Sequence, residues 1–371
     1  MKKAGIVTFH RAMNCGAMLQ AYALQEVLGR RFDAYILDYR CEEFEYVYKY
    51  KRSIKSYIRF LGKFILKHKI CSQEINRSKL FKDFSDKYFR RSAKFTAKNV
   101  FKSNDEFDFF VAGSDQIWNP KWSNADWNYF LEFSDDAKKY SYAASFGGDK
   151  VEEQYKDKIT SLLSTFKSIL VREYSGLDIL KTLGIKNDNT GAVCDPVLLL
   201  SKEEWLSRFD LESNNKGYIL LYFAACQTNS VEFAKKIAKE TGKKVIYYNS
   251  FGTKNINDSF ENLIEAGPVE FLSLIYNADL VITTSFHALA FSLIFNIPFV
   301  YELNKEKSNN NPRLENLASI CEVNSRKLDS VENFRFEDID WEKVNHHLDR
   351  YRAESERKLI KYLPDSEQGK T

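Results

Sequence analysis

The chain has no apolar run approaching the ~18 residues of a membrane-spanning helix, which argues against an integral membrane protein built of helices. Its apolar stretch over 4–9, behind Lys2 and Lys3, is too short for a secretory signal. The six cysteines (Cys15, Cys41, Cys71, Cys194, Cys226 and Cys321) are scattered, with no pair at metal-ligand spacing. They read as reduced, packed thiols, so the expected compartment is the cytoplasm and no metal site is expected. Asn14-Cys15-Gly16 lacks the remaining glycines of a dinucleotide loop, so a nicotinamide site is unsupported. Neither a repeat of 20–50 residues nor a low-complexity tract is present. Histidine is scarce, with five in 371 residues.

What is present is a large, apolar, aromatic chain. Apolar residues make up 44% and aromatics 15%, enough to bury a real core, and the length favours two domains. Short apolar runs at 4–9, 33–38, 107–112, 140–145, 168–172 and 190–194 predict strands. The first leads through a Gly-containing turn into a helical stretch with Met18, Leu19, Tyr22, Ala23, Val27 and Leu28. A second series predicts strands at 218–224, 245–248, 280–283 and 298–301, alternating with helices at 231–241, 269–277 and 288–295. Such alternation implies parallel sheets covered on both faces. The expected fold is α/β, with two doubly wound Rossmann-like domains facing across a cleft. Residues 1–200 form the first domain and 217–335 the second, with a C-terminal helix and polar tail over 336–371. The polar, Gly-ended segment 200–216 is the expected joint. Ligands of such sheets lie beyond the carboxyl ends of the strands, where Asn14, Asp115 and His287 all fall.

The net charge of +4 is unevenly spread. Between Lys49 and Lys69 stand eight basic residues and no acid; without them the formal charge becomes −4. Ile54, Ile58, Leu61 and Ile65 recur at helical spacing among those cations. That pattern suits either a solvated helix packed on the first domain or a cationic helix on an anionic bilayer surface. No recognised nucleic-acid module accompanies the charge.

Single residues suggest chemistry only in combination. His287 follows a strand and opens a helix, an exposed position from which an imidazole could move protons across a cleft. Arg172 ends a strand, where a guanidinium suits carboxylate or phosphate; it could equally pair with Glu173. Asp115 and Gln116 offer a carboxylate and an amide to sugar hydroxyls, although Asp115 could merely cap a turn. Gly16 could bring backbone amides to an anion.

Taken together, six ordered stretches resemble the polysaccharide pyruvyl transferase family. They are residues 14–25 (NCGAMLQAYALQ), 113–119 (GSDQIWN), 142–147 (YAASFG), 171–175 (VREYS), Asp195-Pro196 and Ser285-Phe286-His287. The resemblance implies a fold similar to that of GT-B glycosyltransferases, with phosphoenolpyruvate as co-substrate and no further cofactor. It implies a sugar acceptor in capsule or exopolysaccharide assembly, with a galactose-like 4,6-diol on a polyprenyl-diphosphate carrier, met at the inner face of the membrane. In its terms His287 matches the catalytic histidine and Arg172 a donor-binding arginine. Ser285 and Phe286 flank the donor, and Asn14, Gly16, Gln20, Asp115 and Gln116 face the acceptor. Many members carry arginine two positions before the histidine, where this chain has Ser285. Arg313 is the candidate substitute. A nucleotide-sugar glycosyltransferase of the same architecture is the alternative, and a non-catalytic scaffold of the assembly machinery a third reading.

Overall fold

Ala4, Ile6 and Val7 are fully buried, as a strand covered on both faces requires. They belong to β1 (Lys3–Val7), the middle of a sheet that also holds β2 (Asp33–Tyr39), β3 (Arg91–Phe95), β4 (Phe109–Ala112), β5 (Lys139–Ala144), β6 (Ser168–Val171) and β7 (Thr190–Ala192). The computed structural model describes residues 1–41, 68–213, 217–224, 228–250, 255–304, 311–331 and 334–365. Within them the seven strands run in the order β3-β2-β1-β4-β5-β6-β7, every pair parallel. Helices α1 (Cys15–Gly29) and α2 (His68–Tyr88) lie on one side, α3 (Lys156–Leu163) and α4 (Tyr174–Thr182) on the other.

The second domain repeats the logic at smaller scale. Strands β8 (Tyr218–Tyr222), β9 (Lys244–Tyr248), β10 (Glu261–Leu263), β11 (Leu280–Thr283) and β12 (Phe299–Tyr301) form a parallel sheet in the order β10-β9-β8-β11-β12. The two domains are Rossmann-like and doubly wound, the GT-B-like arrangement expected. A joint at 200–216 was expected to be polar, yet it contains α5 (Lys202–Arg208), opened by a capping box between Ser201 and Glu204. Trp205 in α5 is fully buried against Tyr22 and Phe291. The joint is therefore anchored in the core of both domains.

Helices α6 (Thr228–Thr241), α7 (Pro268–Tyr276), α8 (Phe286–Phe295) and α9 (Asn311–Ile320) complete the second domain. One hydrophobic core contains α1 together with α7 and α8, so the domains share packing. Across this junction Cys15 Sγ lies 3.3 Å from the Tyr248 hydroxyl. Helix α10 (Trp341–Tyr362) then spans both domains. Its first half meets the second domain through Lys343 and His347 at Glu322. Its second half returns to the first domain, where Arg352 donates to Leu198 O (2.7 Å) and Lys358 to Ala192 O (2.8 Å). Ser355 Oγ accepts from Cys194 N at 2.8 Å.

Elements β3, β10, α2, α3, α4, α5 and α9 go beyond the sequence expectation. The expected basic helix over 49–69 lies outside the described residues except for its last two positions, where α2 begins. Among the described residues no helix is long and apolar enough to cross a membrane.

Candidate functional site

In the first sheet the chain order reverses beside β1 and β4, which opens a crevice at their carboxyl ends. The segment after β1 leads to Asn14, whose side chain accepts from Ala17 N (3.2 Å) and caps α1. The segment after β4 presents Ser114 and Asp115. Asp115 adopts φ 76° and pairs across to Ala144, beside Ala143 at φ 54°. Two adjacent non-glycine residues in the left-handed region mark a strained corner. Arg172 follows β6, and Asp195 lies three residues beyond β7. From the second domain, Ser285 and His287 arrive at the start of α8, directly after β11.

These residues converge on one carboxylate. Asp195 is 1% exposed; its Oδ2 accepts from Ser114 Oγ (2.9 Å) and Arg172 Nη1 (2.9 Å), and its Oδ1 from Val197 N (3.1 Å). His287 Nε2 stands 3.7 Å from the same Oδ2, an ion-pair distance rather than a hydrogen bond. Burial pushes the Asp195 carboxyl up, but the His287 ring and the Arg172 guanidinium outweigh it and hold it well below the usual carboxylate range. Arg172 is itself buried. Its Nε donates to Glu173 Oε1 (2.8 Å), its Nη2 lies 3.8 Å from Asp115 Oδ1, and its guanidinium sits 5.1 Å from the Phe286 ring centroid. Desolvation opposes its charge, yet the surrounding carboxylates of Glu173, Asp195 and Asp115 keep it above the ordinary arginine value.

Arg172 Nη2 and His287 Nε2, both buried, have no hydrogen-bond partner among the described residues. Such orphans are uncommon and call for an explanation. On its other side the His287 ring rests against α1 at Gly16. A Cβ there would lie 2.1 Å from Nδ1 and 2.3 Å from Cγ. Glycine is required at this position because an imidazole from the other domain occupies the space.

Arg313, in the first turn of α9, is buried and lines a small cleft together with Arg172, Asp195 and Phe286. Burial first, and then the like charge of Arg172, lower its pKa to about 10 against the partial support of Glu173, Asp115 and Asp195. The structure therefore brings His287, Arg172, Phe286, Ser285, Asp115 and Arg313 to one region. Three sequence expectations need correction. His287 is 6% exposed, a buried position rather than an open one. Arg172 makes the pairing with Glu173 that was the competing reading, while leaving one nitrogen over. Gln20 is fully buried, its amide donating to Thr8 Oγ1 (2.9 Å) and Ala17 O (2.8 Å), so it packs beneath the turn instead of facing an acceptor. Gln116 spends its carbonyl on Trp122 Nε1 (2.8 Å). Sequence reasoning missed Asp195 and Ser114 as members of the cluster. Their signal was present in the Asp-Pro after the 190–194 run and in the serine before Asp115.

A family model described as polysaccharide pyruvyl transferase matches residues 14–306, most of the chain and all of the cluster except Arg313. The chain belongs to the polysaccharide pyruvyl transferase family. No protein of curated function matches it. Solved structures similar to this chain include a UDP-N-acetylglucosamine 2-epimerase from Rickettsia bellii (10% identity, 98% of this chain and 97% of that chain covered, TM-score 0.46). A UDP-GlcNAc 2-epimerase from Methanocaldococcus jannaschii in complex with UDP-GlcNAc and UDP is similar at 14% identity, 94% and 99% coverage and TM-score 0.45. The ADP-heptose heptosyltransferase II of E. coli follows at 12% identity, 96% and 100% coverage and TM-score 0.34. These scores are too low to carry an argument, and the architecture of the chain rests on its own two sheets.

Proposed function

We propose that the protein transfers the enolpyruvyl unit of phosphoenolpyruvate to two hydroxyls of one sugar in a polysaccharide precursor, closing a cyclic ketal and releasing phosphate. The observation that carries this reading is the pair of buried, unpartnered donors, Arg172 Nη2 and His287 Nε2, on either side of Asp195. Their unused hydrogen bonds suit the oxygens of an anionic donor. In this reading Arg172 and Arg313 hold the donor's carboxylate and phosphate from two directions, a positioning and electrostatic contribution. Phe286 and Ser285 border the donor, and Asn14, Asp115 and Gln116 border the acceptor. Asp195 fixes the arginine and faces the imidazole.

His287, protonated, gives a proton to the methylene carbon of phosphoenolpyruvate, which becomes a methyl group and leaves the adjacent carbon cationic. One sugar hydroxyl adds at that carbon and gives its proton to His287, which passes it to the phosphate oxygen as the carbon–oxygen bond breaks and phosphate leaves. The second hydroxyl adds in its place, and its proton returns to His287 as the ketal closes. The acceptor in this proposal is a lipid-linked oligosaccharide met at the inner membrane surface, a role that suits the basic run over 49–69.

The experiment is turnover with phosphoenolpyruvate and candidate glycans, following phosphate release and the mass of the acceptor. Phosphate release with a pyruvate-sized mass gain supports the reading. Release of a nucleotide diphosphate from a sugar nucleotide, with phosphoenolpyruvate untouched, refutes it. His287→Asn should lower turnover by ~10²–10⁴-fold, the usual yield of a general acid. Turnover within a few-fold of wild type would remove His287 from that role.

A further inference from the structure

A buried arginine stands outside the cluster around Asp195. Arg77, on α2, is 4% exposed. Its Nη2 donates to Met13 O (3.1 Å), and its guanidinium carbon lies 5.7 Å from the Phe81 ring centroid. Its Nε is buried with no hydrogen-bond partner, and among the described residues no carboxylate stands within ion-pair distance of the guanidinium. Arginine is almost never buried in this way unless it is paired. Glu270 of α7 caps its own helix at Gly267 N (2.9 Å) and makes no ion pair with Arg77. Cys15, Tyr222 and Tyr248 feel the charge of Arg77, yet none is an anion. Burial pushes the Cys15 thiol up to about 12 and holds both phenols above their ordinary value, so all three stay neutral at pH 7.

Met13 leads directly into α1, so the guanidinium is aimed at the N-terminus of that helix. The Asn14 side chain takes Ala17 N (3.2 Å), which leaves the amides of Cys15 and Gly16 without an intrahelical partner. The first turn of α1 carries no acid to neutralise the positive end of the helix. Asn14 is exposed, and the two residues after it meet the second domain, Cys15 at Tyr248 and Gly16 at His287. Two amides at a helix N-terminus and an unpaired guanidinium are a donor set for phosphate oxygens.

We infer that the N-terminus of α1 and Arg77 together form an oxyanion site for a phosphate group, beside the glycine that seats His287. The phosphate belongs to the donor or is carried by the acceptor; the chemistry that recognises it is the same. An oxyanion there also favours the charged form of the adjacent imidazole, the form a general acid needs. The inference goes beyond the pyruvyl transfer proposed above and is tested without turnover.

Phosphoenolpyruvate and inorganic pyrophosphate are the two probes, each titrated calorimetrically into the full chain at low salt. Arg77→Gln removes the charge. Asn14→Asp, at an exposed position, keeps the helix cap while placing a carboxylate at the same amides. Each variant should weaken binding on the order of tenfold or more. A loss seen with phosphoenolpyruvate assigns the site to the donor's phosphate, and a loss confined to pyrophosphate assigns it to a phosphate of the acceptor. Thermal melts separate this role from a structural one. Without ligand, Arg77→Gln should melt at or above wild type, because a buried charge with no counter-ion has been removed. The bound probe should raise the melting temperature of wild type more than that of the variant. If Arg77→Gln fails to fold, Asn14→Asp decides. Unchanged affinity for both probes in either folded variant would overturn the inference, as would a wild type that binds neither. Pyrophosphate binding that depends on Arg77, with no binding of phosphoenolpyruvate, would refute the proposed donor and leave the oxyanion site standing.

Discussion

Gly16→Ala adds one methyl group, and the structure says where it goes. The new Cβ would lie 2.1 Å from His287 Nδ1, and restoring even a tight 3.0 Å contact requires the ring to retreat by roughly 0.9 Å. Overpacking of this kind costs ~1–3 kcal/mol, offset by up to ~1 kcal/mol from the better helix propensity of alanine. Net stability should therefore fall by no more than about 3 kcal/mol, and the protein should remain folded at 25 °C. Catalysis should suffer more, because a misplacement of about 1 Å at a reacting group can cost ~10²-fold. The assay pairs a thermal melt with phosphate release from phosphoenolpyruvate at saturating substrates. A melting temperature close to wild type with turnover reduced on the order of a hundredfold is the expected result. Wild-type turnover in a folded Gly16→Ala protein would refute the claim that the interdomain contact of Gly16 with His287 sets the geometry of the ring.

Further predictions concern charge. Asp195→Asn leaves Arg172 and His287 without their shared anion; breaking a buried pair costs ~3–5 kcal/mol, to be read from chemical denaturation at neutral pH. Because the Asp195 carboxyl is held below its unfolded value of ~3.9, its contribution is complete above that pH and is lost as pH falls toward the folded value. Wild type should thus lose melting temperature steeply below about pH 4, and the variant less steeply; parallel acid limbs would contradict the assignment. Arg313 is charged against the cost of burial and the repulsion of Arg172, so Arg313→Met should raise the melting temperature by about 1–3 °C while weakening donor saturation. Ser285→Arg in that background should restore part of the donor binding, and unchanged saturation in Arg313→Met would exclude Arg313 from the donor site. Burial pushes the thiols of Cys15, Cys194 and Cys321 up to about 12. At pH 8 they should resist iodoacetamide in the native protein and react once it is unfolded, as mass spectrometry of the peptides would show; prompt native labelling of Cys15 would mean the domains separate there.

The parts of the fold legible in the sequence were those that bury apolar surface on both faces. β1, β4, β6, β8 and β11 read as near-continuous apolar runs because neither face meets water. The missed strands are edges. β3 (RSAKF) alternates charge with small residues, and β10 (ENL) is three residues long, so neither carries a hydrophobic period. Helix α2 hid in a stretch where Phe81, Phe84 and Tyr88 pack inward among many charges, a stripe too dilute to compete with the basic run before it. In the site, His287 and Arg172 were legible because each ends a strand. Asp195 was not, because its importance lies in partners 23 and 81 residues distant, Arg172 and Ser114, and no local pattern reports such a meeting. The burial of His287 was likewise invisible, since it depends on a glycine in the other domain.

Helix α10 carries a mechanical consequence. The polypeptide joins the two domains at α5, pinned by Trp205, and again through α10, pinned at Glu322 on one side and at Cys194, Ala192 and Leu198 on the other. A body tethered at one point can swivel about any axis, whereas two separated tethers leave free only rotation about the line that joins them. Torsion of one domain against the other would have to stretch or bend a 22-residue helix. With one core already shared by α1, α7 and α8, these two attachments hold the imidazole of one domain in a fixed register against α1 of the other.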